Sequence, residues 1–194
     1  VWLAVCKGAV KRKCSPFMLL FSAYALLLHK TYKQEELLVA TPAGNRKALH
    51  DLSLVGNITY ELPIRSKLTP KEDILERIKN SLSQVFEHYN YSLAKIAALL
   101  SEVGNPVPYF GFDMKRFVTP SFTNLGVELK FFSQLPPHKI LELSIVEKDD
   151  KRYACWNYHS HLDTVKSIKE SHEHFLECCQ LVSNAEFSTQ LEIT

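Results

Sequence analysis

The sequence predicts an α/β fold: one lobe in which long helices pack on a mixed sheet. Three observations predict it. Residues 37–41, Leu-Leu-Val-Ala-Thr, are a continuous apolar run suited to a central strand with both faces covered. Residues 15–29 are apolar nearly throughout, which fits a helix buried on most sides. The second half turns to successive strand-like runs before a last amphipathic helix, and strands combined with long helices make a layered α/β lobe.

In chain order, Ser15-Pro16 opens the first helix, since serine caps an N-terminus and proline suits its first turn. The 37–41 strand leads into a turn-rich stretch, Pro42-Ala43-Gly44-Asn45-Arg46. Ile58, Tyr60, Leu62 and Ile64 then alternate, as a half-buried strand requires. Thr69-Pro70-Lys71-Glu72 reads as a capping box with proline at the first helical position. Behind it Ile74, Leu75, Ile78, Leu82, Val85 and Phe86 mark one face of a helix. A shorter helix is predicted from residue 92 to about 102, stopped by Gly104. Residues 107–113, 125–133, 139–147 and 152–158 read as strands, with Asp149-Asp150 turning between the last two. The final helix starts near Asp163 and carries Val165, Ile168, His172, Phe175, Leu176 and Cys179 on one stripe.

The 194 residues suffice for one sizeable core, and no repeat, low-complexity tract or linker divides them. At 46% hydrophobic and 23% charged residues the composition is that of a globular protein rather than a disordered one. A net charge of +2 is too small to imply a nucleic-acid partner. It is uneven: Lys7, Lys11, Arg12, Lys13, Lys30 and Lys33 all precede the first acid, Glu35. Such a stretch is either a solvated helix end or a positive patch for an acidic carrier protein or a phosphate-bearing arm. Five cysteines with no C-x-x-C spacing argue against a zinc ribbon or a secreted disulfide framework, and for a reducing cytoplasm. The apolar stretch 17–28 is shorter than the roughly twenty residues a membrane span needs, so no membrane partner is expected. A start at Val1 without methionine suggests a fragment of a longer protein.

Several of these segments resemble the second half of nonribosomal peptide synthetase condensation domains. Val39-Ala40-Thr41-Pro42 is similar to the family's Val-Val-Gly-Thr-Pro, with Arg46 on the arginine that closes that motif. Gly56 and Leu62-Pro63-Ile64-Arg65 are similar to the next motif, and Leu27-Leu28-His29-Lys30 to a helix ending in Leu-Leu-His-Arg. His88 through Leu93 resembles a His-x-x-x-Pro-Phe stretch, and residues 158–175 a closing strand and helix. There are departures: Tyr60 stands where asparagine is usual, Ala40 and Asn45 replace glycines, Ser92 replaces proline, and His159-Ser160-His161 replaces Asn-x-Asp. They suit an ester-forming, cyclising or non-elongating relative.

The resemblance implies a chloramphenicol-acetyltransferase-like lobe, two of which form a V around a tunnel. It also implies that the whole chain is one C-terminal, acceptor-side lobe, with the N-terminal catalytic lobe as partner. No cofactor would be bound directly. Acyl and aminoacyl substrates would arrive on the phosphopantetheine arms of carrier proteins. The family's catalytic histidine lies in a His-His-x-x-x-Asp-Gly motif, whereas no two of the eight histidines here are adjacent. No catalytic residue is therefore assigned, and the lobe alone is expected to be inactive. A free-standing acyltransferase of the chloramphenicol-acetyltransferase type ranks last, because it needs the same motif. The remaining rival is a catalytically inactive docking module of the same fold.

The resemblance marks Thr41, Pro42, Arg46, Gly56, Tyr60 and Arg65 as tunnel or floor-loop candidates. Arg46 carries a permanent cation to the end of a central strand, where open α/β sheets tend to place ligands. It either orders the loop and contacts the pantetheine arm, or makes a structural salt bridge, for example to Asp51. Tyr60 either lines the tunnel with its hydroxyl or packs as a large strand residue against a helix. Arg65 is expected in a surface or inter-lobe ion pair. His29 and His88 are read as helix C-terminal residues, where the dipole favours a cation. His159 and His161 share a strand face but lack the third ligand zinc requires. His172 and His174 face different ways on a helix, and Cys178-Cys179 reads as core packing.

Overall fold

A computed structural model describes residues 2–44, 53, 55–56, 59–67, 72–88, 91, 93–99, 109–117, 139–148, 150–160 and 165–184. Its elements are α1 (Trp2–Lys11), α2 (Pro16–Tyr32), β1 (Glu36–Gly44), β2 (Thr59–Lys67), α3 (Ile74–Glu87), α4 (Leu93–Leu99), β3 (Phe110–Phe117), β4 (Leu141–Lys148), β5 (Lys151–Tyr158) and α5 (Val165–Asn184). The strands form one sheet in the order β2-β1-β3-β4-β5. β1–β3 and β3–β4 are parallel while both outer pairs are antiparallel, so the sheet is mixed, as predicted.

α2 is the keel of the lobe. Ser15 caps it, its Oγ accepting the Met18 N–H at 3.2 Å, with Pro16 in the first turn. Every residue from Leu19 to His29 is buried, because α2 lies against α1, α3, α5 and the strands β1 and β3. Phe17, Phe21 and Tyr24 ring the Phe112 side chain of β3 at centroid distances of 5.4 to 5.8 Å. The helix runs three residues past the predicted end at His29, until Lys33 adopts a left-handed φ of 53° and terminates it.

Three expectations are corrected. β1 does not stop at Thr41: Pro42, Ala43 and Gly44 stay in strand, paired with Glu61, Tyr60 and Thr59. Proline is tolerated because β1 pairs with β3 only at Val39 and Ala40, so past that point a missing N–H breaks no second ladder. α3 is capped by Asp73, whose Oδ1 accepts the Leu75 N–H at 3.0 Å, rather than by a box at Thr69; residues 69–71 lie outside the described set. β3 lies about three residues later than the 107–113 reading. Its charged end, Lys115-Arg116, is held in strand by β4 and by ion pairs to Asp113 and Glu147.

The alternating strand, β4, β5 and the last helix fall within a few residues of their predicted bounds. Asp150 turns between β4 and β5 with a φ of 60°. The predicted 125–133 strand lies outside the described residues. α1 was not predicted; it packs Val5, Gly8 and Ala9 against α2 and α5.

Candidate functional site

The register of β1 and β2 decides which predicted residues meet. The two strands run antiparallel from Glu36↔Lys67 to Gly44↔Thr59. Thr41, Pro42 and Tyr60 therefore gather at the carboxyl end of β1, the side of the parallel strands where α/β sheets tend to bind ligands. Arg65 lies about 17 Å along β2 from Tyr60 at the usual rise per residue. There it forms a surface ion pair with Glu36, with Nε–Oε1 at 2.5 Å and NH2–Oε2 at 3.0 Å. Gly56, exposed with a φ of 150°, has a backbone that other residues rarely adopt. Arg46 and Asp51 lie outside the described residues.

Alternation separates the three gathered residues. Thr41 shares the helix-covered face with Leu37 and Val39, and it is buried. Half-buried Tyr60 is in phase with the core residues Leu62 and Ile64, on the same face. Pro42 is exposed on the opposite face.

That opposite face holds a polar network the sequence reading missed. Lys139, only 4% exposed, reaches from the start of β4 to Glu61 on β2, Nζ–Oε1 2.5 Å, and to Glu142 on β4, Nζ–Oε2 3.1 Å. Between β2 and β4 lie β1 and β3, about 14 Å of sheet. The reach is possible because the intervening pair is Ala40 and Gly111. A β-carbon on Gly111 would stand 2.8 Å from Glu142 Oε2 and 2.9 Å from its Cγ. Asn157 and Ser144 approach the other Glu142 oxygen at 3.4 and 3.5 Å. Burial pulls the Lys139 pKa down, but the two carboxylates outweigh it and hold it above its ordinary value. The missed signal was a lysine just ahead of an apolar strand, with one glutamate inside that strand and another on β2.

His29 departs from its expected role as a dipole-stabilised cation. Its ring is fully buried. Nδ1–H donates to the Gln34 carbonyl at 2.5 Å, and the Ser66 hydroxyl donates to Nε2 at 2.9 Å. Burial lowers its pKa, with the Gln34 bond opposing the shift, so the ring is neutral near pH 7. It ties α2 to β2. His88 does stand at a helix end, closing α3. His172 accepts from Trp156 Nε1 at 3.3 Å, while His174 is exposed on another face of α5. His161 lies outside the described residues, among which no group of three or more metal-ligating side chains is gathered. Cys178 and Cys179 are core residues, their thiols pushed by burial to about 11 and about 12. All five cysteines are free.

No family model matches the chain. A linear gramicidin synthase of Brevibacillus parabrevis is 23% identical over 179 residues, 86% of this chain. Gramicidin S synthase 2 of Brevibacillus brevis is 25% identical over 186 residues, 88% of this chain. The chain spans only 3% and 4% of these relatives' lengths. The first condensation domain of the CDA synthetase superposes with a TM-score of 0.73 at 14% identity, covering 93% of this chain and 42% of that one. By fold, the chain matches one lobe of a condensation domain. The X-domain from teicoplanin biosynthesis, solved in complex with OxyB, superposes with a TM-score of 0.78 at 16% identity, over 98% of the lobe and 45% of that chain. The lobe thus has the chloramphenicol-acetyltransferase-like fold that its motifs implied, and it accounts for a little under half of each solved chain.

Proposed function

We propose that this chain is the C-terminal, acceptor-side lobe of a condensation domain in nonribosomal peptide or hybrid polyketide synthesis. The whole enzyme would join two carrier-bound groups: an amine or hydroxyl attacks a thioester carbonyl, a new amide or ester bond forms, and the phosphopantetheine thiol leaves. Holding the nucleophile beside the carbonyl supplies much of the rate, and a histidine positions or deprotonates it. That histidine would come from the partner lobe. This lobe would contribute the end of β1, Gly56 and Arg46 to the tunnel floor.

The observation that carries the reading is coverage. Motifs resembling those of condensation domains run along nearly the whole chain, yet it matches less than half of a solved condensation domain and holds no paired-histidine motif. The first test is the coding sequence upstream of Val1. An in-frame His-His-x-x-x-Asp-Gly there is the expected result, and its absence removes the catalytic reading. The matching assay supplies carrier-bound acyl and aminoacyl thioesters to the lobe alone, where no condensed product is expected, and then to both lobes together.

The superposition with an X-domain solved against a partner protein favours a second reading, an inactive module that docks a carrier or other protein. Binding of a carrier by the lobe alone, weakening with salt, would support it.

A further inference from the structure

We propose that the groove between α1 and α5 is a docking surface for an acidic amphipathic helix of a partner protein. The groove encloses about 380 Å³ and is floored by the buried side chains of Val5 and Cys179 and the half-buried Leu176. Lys7 and Lys11, one helical turn apart, stand on its α1 rim. Its lining contains these two cations and no carboxylate. Neither lysine forms an ion pair among the described residues.

A second observation extends the surface beyond the groove. Leu3 and Val10 are 68% and 79% exposed. With Lys7 they fall at i, i+4 and i+7, so they form one outward stripe of α1. Exposed apolar residues spaced by helical turns and flanked by unpaired lysines suit a helix with the reverse arrangement: apolar residues at i, i+3 or i+4 and i+7, bordered by glutamates. A nucleic acid would find no aromatic stacking platform in the groove lining. A membrane surface would want a wider basic field than two lysines. The inference needs only α1 and α5, and stands apart from the condensation reading.

The test uses the 194-residue chain and a fluorescein-labelled 18-residue helical peptide with leucines on one face and glutamates along both flanks. Anisotropy should report binding that weakens as salt rises. The double reversal Lys7→Glu/Lys11→Glu should lower affinity about tenfold, as expected for rim charges, with the thermal midpoint lowered only slightly, because both side chains are exposed and the reversal costs only the favourable charge of Lys11 in the last turn of α1. A peptide with lysines in place of the glutamates should prefer the reversed variant. Absence of binding, or binding indifferent to the reversal, overturns the proposal. Self-association that the reversal abolishes, with no binding of the peptide, would place a second copy on this face and also overturn it.

Discussion

Lys139 and His29 are two buried titratable side chains that meet burial in opposite ways. Lys139 stays charged under the sheet because Glu61 and Glu142 meet it there. Replacing it by methionine keeps the bulk but strands two carboxylates. A lost partner in a buried pair costs about 3–5 kcal/mol, and the partial exposure of Glu61 reduces that. We expect Lys139→Met to destabilise by about 2 kcal/mol in denaturant titration; an unchanged midpoint would show that the network is not a structural tie. The contribution of Lys139 is present at neutral pH and is lost as pH rises through its raised folded value, above the ordinary 10.5.

His29 stays neutral instead. Its folded pKa lies below the ordinary 6.5, so the unfolded chain binds this proton first, and the stability it confers falls as pH drops from about 6.5 through the lowered value. The His29→Asn variant should be less stable than wild type at pH 7, and the gap should narrow by up to about 1.4 kcal/mol per pH unit below 6.5. A gap independent of pH would remove the protonation account.

At the scale of elements, α1 shows how a helix depends on what it touches. It has no acidic first turn, and Gly8 lies in its middle, where glycine disfavours a helix by about 1 kcal/mol relative to alanine. Propensity alone therefore says Gly8→Ala should stabilise. The packing says otherwise: an added β-carbon would lie 2.8 Å from Ser183 Cβ and 2.5 Å from its Oγ. Forcing α1 and α5 apart costs about 1–3 kcal/mol, so we expect a net loss in the thermal midpoint. A rise would mean that the helices can part freely. The same dependence explains why α1 escaped the sequence reading while α2 did not. Ser15-Pro16 and a run of buried apolar residues specify α2 locally, whereas α1 is defined by the small residue that lets it approach α5. β1 makes the same point: its extension through Pro42 to Gly44 follows from the ladder that β2 supplies.

In the whole molecule, α1, α2, α3 and α5 pack together on one face of the mixed sheet, and on the other a polar network crosses from β2 to β4 and on to Asn157 of β5. A chain matching under half of solved condensation domains while holding one continuous core is expected to fold without performing the whole reaction. Product from carrier-loaded thioesters with the lobe alone would overturn the division of labour proposed above.

The class of the fold, its mixed sheet, the keel helix and the family resemblance can all be read from the amino-acid order. These depend on local signals: hydrophobic period, caps, and motifs short enough to read in a line. The amino-acid order also marked Thr41, Pro42, Gly56 and Tyr60, which are close in sequence or joined by one hairpin. Packing alone brought together what lies far apart in the chain. It set Arg65 at the other end of β2 from Tyr60, buried His29 against Ser66, and set Lys139 between Glu61 and Glu142 over Gly111. Those outcomes depend on register and desolvation, and neither exists until the strands and helices have packed.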